Sequence, residues 1–277
     1  MKKEIRVVDD QRKIVQVTTS DERWYLKDAE DAKTGLPIYE YVPSVTWICE
    51  FYPKGIAFYK WLANKGWDEA EAIKVAAGDK GSKVHFAIKD LIQGKEVAID
   101  AKYLNPTSGE AEELTLEEYG CLMSFVDWFK EDKPRFINAE FVVWGQGYAG
   151  TIDLLAEIDG QKWLIDFKTS QYIWPSHELQ VSAYKHAINY PDSKEERDDL
   201  KLAILQLGYK LNKHKKYKFS EIEDHYQEFL AAKSIWAKET KGVEPKQRDY
   251  PLSVSLGQGE NKDEASQAGK KGVRASS

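Results

Sequence analysis

The stretch Gly150–Lys168, GTIDLLAEIDGQKWLIDFK, decides the fold of this chain. Two largely apolar runs, Gly150–Ile158 and Gln161–Phe167, flank the dipeptide Asp159-Gly160. Asp-Gly readily adopts the positive φ angles of a two-residue type I′ turn, whose twist matches that of two antiparallel strands. The sequence therefore predicts a β-hairpin with a two-residue loop.

The length of this loop fixes which residues lie opposite one another. Counting outward from the turn places Leu155 opposite Leu164 and Asp153 opposite Asp166. Like charges at directly opposed positions destabilise a sheet, so a folded protein needs a cation near them. Lys168 lies two residues beyond Asp166 and shares its face of the strand. This polar face predicts a functional site.

The alternate positions of the same two strands are apolar. Because side chains alternate between the faces of a strand, we expect one face to hold core residues, namely Ile152, Leu154, Ile165 and Phe167. Paired carboxylates on the other face suit a hard divalent ion such as Mg²⁺ or Mn²⁺. A neighbouring lysine then orients or deprotonates a water molecule, or neutralises charge that develops on a phosphate.

A helix is expected after the hairpin, from about residue 175 to residue 189. Pro175 suits the first helical position, and Pro191 follows the end. Gln180 and Tyr184 are four residues apart and share one face, with His177 three residues before Gln180. We expect these polar groups to face the carboxylates.

The order of these motifs resembles that of the PD-(D/E)XK nuclease superfamily, in particular its RecB-like branch. The resemblance is carried by Gly150-x-x-Asp153, Asp166-Phe167-Lys168 and Gln180-x-x-x-Tyr184, and upstream by Tyr41–Thr46 and Gly81–His85. Within that branch it is nearest to the mitochondrial genome maintenance exonucleases and to phage-encoded nucleases of the same type. It covers about residues 40 to 210.

The resemblance implies a restriction-endonuclease-like α/β fold with a mixed central β-sheet between helices. It implies a metal-dependent deoxyribonuclease that hydrolyses phosphodiester bonds, as an exonuclease on single-stranded DNA or DNA ends, with Mg²⁺ or Mn²⁺ as cofactor. The ligands that it implies are His85, Asp153, Asp166 and the carbonyl of Phe167. Lys168 is then the catalytic lysine, Gln180 and Tyr184 contact the phosphate or the lysine, and Glu140 has a possible supporting role.

Other interpretations of the same residues stay open. The chain is alternatively a non-catalytic DNA-binding or recombination accessory protein on the same fold, or a structure-specific endonuclease. A third alternative is a structural hairpin with a surface ion pair between Asp166 and Lys168. The sequence has no Walker A motif, so coupling to DNA unwinding would need a helicase or recombination protein as partner.

The composition of the 277 residues is that of an ordinary globular protein, with 42% hydrophobic and 31% charged residues. The formal charge of −6 gives no global attraction to nucleic acid, so local basic patches must supply it. Cys49 and Cys121 match neither a structural zinc motif nor a four-cysteine cluster motif. No apolar run approaches about 18 residues, so we expect no membrane contact and a cytoplasmic or nucleoid-associated protein.

Turn-forming and apolar positions divide the chain into three parts. Residues 1–40 are expected to form a small β element packed on the core, residues 41–250 the nuclease domain, and residues 251–277 a disordered tail. Within the domain we expect helices over 68–77, 82–92, 115–132 and 221–240, a break at 79–81, a loop over 95–114 and a strand over 200–209.

Two further segments have alternative interpretations. The stretch 43–65 is rich in aromatic residues, which either belong to the core or form a platform for stacked bases on an arch over the cleft. The stretch 210–218 holds five lysines and a histidine, and is either a solvated turn or a phosphate-binding segment.

Overall fold

The computed structural model describes residues 4–19, 22–30, 37–188, 199–210 and 216–245 of the chain. Two compact units divide at Val243 and Glu244, close to the expected boundary at residue 250. Only residues 244 and 245 of the second unit are described. The predicted disordered tail and most of the lysine-rich turn, residues 211–215, lie outside the described residues.

The chain begins with an antiparallel sheet of four strands in the order β1-β2-β3-β4. Their bounds are β1 Glu4–Asp9, β2 Ile14–Thr18, β3 Arg23–Glu30 and β4 Pro37–Pro43. The expected N-terminal β element is therefore present, but its last strand extends past the predicted limit at residue 40. Trp24 of β3 makes edge-to-face contacts with Trp47 and with Trp236, which attach this sheet to the rest of the fold.

Three helices follow the sheet: α1 Val45–Cys49, α2 Ile56–Lys65 and α3 Trp67–Ile92. The predicted break at residues 79–81 is wrong, because α3 runs through Gly78 and Gly81 without interruption. An interior glycine weakens a helix by only about 1 kcal/mol relative to alanine, and tertiary contacts outweigh that cost here. One such contact is the buried ion pair of Lys83 with Glu118, at 3.0 Å.

A short hairpin and one helix connect α3 to the main sheet. The hairpin, β5 Lys102–Leu104 and β6 Ala111–Glu113, lies where a loop was expected. The helix α4 Leu116–Asp132 begins one residue later than predicted and ends at the predicted residue, and Thr115 and Glu118 form a capping box at its start.

The central sheet has five strands in the order β11-β10-β9-β8-β7. They are β7 Arg135–Gly145, β8 Tyr148–Ile158, β9 Gln161–Lys168, β10 Lys201–Leu207 and β11 Tyr217–Ile222. Neighbouring strands are antiparallel except for β9 and β10, which are parallel. The fold is therefore a mixed α/β fold with a mixed central sheet, as predicted.

The predicted hairpin is confirmed as the pair β8 and β9. Ile158 lies opposite Gln161 and Leu155 opposite Leu164. The turn residues have the positive φ angles that a type I′ turn needs, 50° at Asp159 and 78° at Gly160.

Helices cover both faces of the central sheet. The helices α5 Pro175–Ala187 and α6 Tyr226–Thr240 pack with α1 on one face, around residues such as Ile152, Leu164 and Phe229. The helices α3 and α4 pack on the other, around Leu154 and Phe167 among others. The last helix begins later than predicted, because Glu221 and Ile222 belong to β11.

The expectation that Ile152 shares a face with Leu154 is wrong. Ile152 belongs to the cluster under α1, α5 and α6, and Leu154 to the cluster under α3 and α4. Between their partners on β7, Ala139 and Phe141, lies Glu140 with a left-handed φ of 51°. A left-handed residue interrupts the regular alternation of a strand, so the apolar side chains on either side point to opposite layers.

Among the described residues, no helix combines the length and the apolar character that a bilayer-spanning segment requires.

Packing of α5 against β8 depends on Gly150, because a Cβ atom there would overlap the ring of Tyr184. We expect Gly150→Ala to lower the free energy of unfolding by about 1–3 kcal/mol through overpacking. Gly120 of α4 has open space around its Cβ position, so the control Gly120→Ala should stabilise the protein by about 0.5–1 kcal/mol. Urea unfolding measures both changes, and a neutral Gly150→Ala would contradict this packing.

Candidate functional site

The site lies where the hydrogen-bonded ladder between β8 and β9 ends. Its last pair is Leu154 with Ile165, so Asp153 and Asp166, predicted to lie opposite each other, follow just beyond the end of the ladder. The Asp153 Oδ2 atom accepts a hydrogen bond of 2.7 Å from the backbone N–H of Phe167. A side-chain carboxylate therefore replaces a backbone acceptor at this point of the sheet.

Glu140 lies opposite Asp153 on the other neighbouring strand, β7. This follows from the flanking pairs Ala139 with Leu154 and Phe141 with Ile152. Its φ of 51° is a costly conformation for a non-glycine residue, and such residues concentrate at functional sites. The arrangement places Glu140 Oε1 3.8 Å from His85 Nδ1.

His85 of α3 faces oxygen atoms with both ring nitrogens. Its Nδ1 lies 3.3 Å from Asp153 Oδ1, and its Nε2 lies 3.2 Å from the carbonyl oxygen of Phe167. Burial opposes the charged form, but the charge and hydrogen bond of Asp153 and the charge of Glu140 raise the pKa of His85 to about 9. An imidazolium therefore supplies positive charge between the two carboxylates.

The side chains of His85, Glu140 and Asp153 can together hold a metal ion. One ligand atom from each lies within 4.8 Å of the other two. Carboxylates are ligands for hard divalent ions such as Mg²⁺ and Mn²⁺, and imidazole is a ligand for softer divalent ions. Glu140, expected only in a supporting role, thus belongs to the cluster itself, while Asp166 lies outside this group of described residues.

Asp166 is buried and instead forms an ion pair with the partly buried Lys168, with Oδ2 and Nζ 2.6 Å apart. Burial raises the pKa of Asp166 to about 6, against the opposing charge of Lys168. Burial also disfavours the charged lysine, but Asp166 and Asp153 outweigh this and raise the pKa of Lys168. Because Asp166 is only 1% exposed, the alternative of a surface ion pair is wrong.

A chain of hydrogen bonds connects this pair to α5. Lys168 Nζ donates to Gln180 Oε1 at 3.2 Å, and Gln180 Nε2 donates to Tyr184 Oη at 2.8 Å. The predicted shared face of Gln180 and Tyr184 is confirmed, and of the two only Gln180 contacts the lysine among the hydrogen bonds of the described residues. Burial raises the pKa of Tyr184 above its usual value, so its phenol stays protonated.

His177, near the start of α5, also faces this region. Its Nδ1 accepts a hydrogen bond from the backbone N–H of Trp174 at 3.3 Å. Burial and the charges of Lys168 and Lys54 lower the pKa of His177 to about 3. The ring is therefore neutral, and the occupied Nδ1 leaves the proton on Nε2.

All these groups except Asp166 line one cleft of about 670 Å³. The lining includes the cluster of His85, Glu140 and Asp153, together with Lys168 and Gln180. One wall comes from residues of β1, β2 and β3. Two residues of that wall, Arg6 and Arg23, belong to no motif that the sequence analysis recognised.

The aromatic residues of 43–65 divide between the two interpretations. Trp47 is buried and contacts Trp24 and Trp236, as expected for a core residue. By contrast, no residue of α2 is buried, although all of α2 is described. Phe58 and Tyr59 on α2 are 38% and 53% exposed, which leaves the stacking interpretation open for them.

We expect the buried pair of Lys168 and Asp166 to show strong energetic coupling. Lys168→Met and Asp166→Asn should each destabilise the fold, because each leaves a buried charge without its partner. The double variant should lose less than the two single losses combined, with a coupling of about 1–3 kcal/mol. The exposed pair of Lys201 and Glu221 on β10 and β11, at 3.0 Å, is the control and should show less than about 1 kcal/mol. Equal couplings in urea unfolding would contradict the buried interaction.

Comparison with known proteins does not assign the chain to a family. No family model matches the chain, and no curated protein matches it significantly.

Proposed function

We propose that this protein is a metal-dependent DNA nuclease of the PD-(D/E)XK type that hydrolyses phosphodiester bonds. One observation carries the proposal: a cluster of two carboxylates and a histidine lies beside a partly buried lysine in an open cleft. Such an arrangement combines ligands for a divalent ion with a cation beside the place for a phosphate. A purely structural role would not require these buried charges.

His85, Glu140 and Asp153 would hold the ion in this proposal. A divalent ion bound there supplies an activated water molecule and stabilises negative charge on the phosphate. Ligation by His85 Nδ1 requires loss of the proton that this nitrogen holds toward Asp153. The roles of Asp166 and of the Phe167 carbonyl as additional ligands stay predictions.

Lys168 is proposed to act as a fixed positive charge. Its raised pKa keeps Nζ protonated at neutral pH, which favours charge neutralisation on a phosphate oxygen over removal of a proton from water. Gln180 holds Nζ through its Oε1 atom, and Tyr184 holds Gln180 in turn. The two α5 residues are thus positioning residues for the lysine.

A preference for single strands or free ends belongs to the same proposal. The exposed rings of Phe58 and Tyr59 on α2 support it. Phe58 lies 5.7 Å from Tyr59 and 5.8 Å from the partly exposed Trp61, measured between ring centroids. Exposed aromatic rings stack on unpaired bases, at about 1–3 kcal/mol for each base. The adjoining helix α3 contributes Lys74 and Lys80 to the cleft lining.

Metal binding tests the proposed ligand set. We expect Glu140→Gln to weaken Mn²⁺ binding by at least about tenfold, since loss of a group that ligates or orients at a metal site has effects of this size or larger. The control Glu157→Gln removes a carboxylate of β8 that is paired with Arg135 instead, and should leave the affinity unchanged. Titration calorimetry measures the Mn²⁺ affinity of both variants, and a Glu140→Gln affinity equal to that of wild type would remove Glu140 from the site.

Wild-type protein should also bind Mn²⁺ more tightly than Mg²⁺, because imidazole is a softer ligand than oxygen.

Digestion of end-labelled DNA tests the activity itself. Wild-type protein should cleave single-stranded DNA or DNA ends with Mg²⁺ or Mn²⁺ and not with a chelator. Lys168→Ala should reduce cleavage by at least about a hundredfold, as expected for removal of a charge that stabilises the transition state.

The matched control is Lys162→Ala, which removes an exposed lysine from the same strand and should cleave like wild type. Labels at each end give the polarity and separate exonuclease from endonuclease products. Binding of DNA by folded protein without cleavage under any metal would contradict a nuclease and favour a DNA-binding accessory protein.

A further inference from the structure

The N-terminal sheet does more than cover the core, because it forms one wall of the cleft. Arg6 of β1, Gln16 of β2, and Arg23 and Tyr25 of β3 all line the cavity. Tyr25 Oη lies 3.1 Å from Thr151 Oγ1 on β8, two residues before Asp153, and accepts a hydrogen bond of 2.8 Å from Gln16. This wall is therefore connected directly to the strand that carries the proposed metal ligands.

Arg6 and Arg23 of this wall lack the ion pairs that two other cations of the N-terminal region form outside the cleft lining. Arg12 is paired with Asp9 at 2.6 Å, and Lys27 with Glu40 at 2.9 Å. Within the part of the chain that the structure describes, neither Arg6 nor Arg23 has a carboxylate oxygen within 4.0 Å. Their guanidinium groups are thus available for an anion in the cleft.

Arg6 is also held in place beside the cluster. Its guanidinium carbon lies 4.9 Å from the ring centroid of Phe86 on α3, the residue that follows His85. Burial and then the charge of Asp153 raise the pKa of Glu140, and Arg6 is among the cations that oppose this rise. Arg6 is therefore close enough for its charge to act on the cluster.

The charge of the cleft differs from that of the whole chain. Lysines and arginines outnumber carboxylates in its lining, where the carboxylates are Glu140 and Asp153, although the chain has a formal charge of −6. Two of the other lining cations have partners, Lys74 with Glu50 at 4.0 Å and Lys80 with Glu117 at 3.0 Å. The unneutralised charge on the wall formed by β1, β2 and β3 is therefore that of Arg6 and Arg23.

We propose that Arg6 and Arg23 bind backbone phosphates of a DNA strand and hold it against the cluster of His85, Glu140 and Asp153. The proposal rests on the nuclease function in its choice of DNA as the anion. A guanidinium group donates two parallel hydrogen bonds to a phosphate, whereas base edges are not needed for such contacts. The wall thus contributes affinity without sequence specificity.

The test is the salt dependence of DNA binding by the full chain. A short labelled single strand is titrated with protein in chelator at a series of salt concentrations, so that no cleavage occurs, and binding is followed by fluorescence anisotropy. Each phosphate contact on a single strand contributes about 0.7 to the slope of log affinity against log salt. Arg6→Gln/Arg23→Gln should therefore reduce the magnitude of the slope by about 1.4 and weaken binding by about tenfold or more at low salt.

Two further double variants serve as controls. Lys27→Gln/Arg135→Gln removes the same charge from paired residues outside the cleft lining and should keep the wild-type slope. Arg6→Lys/Arg23→Lys keeps both charges and should keep most of the slope. A loss of slope in the lysine variant equal to that in the glutamine variant would contradict an electrostatic role.

The outcomes separate this inference from the proposed function. An unchanged slope in Arg6→Gln/Arg23→Gln, or wild-type protein that binds no DNA, would overturn the phosphate wall. If the slope falls as expected but wild-type protein cleaves no DNA with any metal, the wall stands and the nuclease proposal fails. If cleavage is present, the glutamine variant should raise KM more than it lowers kcat, because contacts away from the reacting phosphate affect binding most.

Discussion

The hydrogen bond from the Phe167 N–H to Asp153 Oδ2 determines the geometry of the site. It ends the ladder between β8 and β9 after Leu154 and Ile165, and it fixes one carboxylate oxygen while the other faces His85. The carbonyl of Phe167 meets the second nitrogen of the same histidine. One contact between two strands thus also orients a residue of α3, because His85 must satisfy both partners at once.

The charges of this site are expensive to bury and are balanced locally. Two cations lie among the carboxylates: His85 between Glu140 and Asp153, and Lys168 against Asp166. Buried ion pairs are often less stabilising than apolar residues of the same volume, so stability alone gives no reason for this cluster. Together with the left-handed backbone at Glu140, it is a local violation of the rules that favour folding, and such violations concentrate at functional sites.

The sequence was sufficient to predict structure where local residue preferences alone determine the conformation. Asp159-Gly160 determines the hairpin and its register, and the helix predicted over 115–132 is present as α4. It was insufficient where distant contacts outweigh local preference, as in α3, whose glycines lie in a helix that also buries Lys83 against Glu118. The position of Glu140 depends on its own left-handed φ angle, and a glutamate in the sequence does not predict that conformation. Arg6 and Arg23 were missed because their role depends on how a separate sheet docks.

Docking of the N-terminal sheet on the rest of the fold fixes the position of Arg6 and Arg23 in the cleft. Contacts of Trp24 with Trp47 and Trp236 attach β3 to α1 and α6, and Arg12 donates a hydrogen bond of 2.6 Å to the carbonyl of Val142 on β7. A wall attached at several points presents its charges in a fixed position, so less conformational entropy is lost when an anion binds. Fixed positive charges in the cleft are important for an acidic protein, because its attraction to a polyanion depends on the local field of the cleft and not on the net charge.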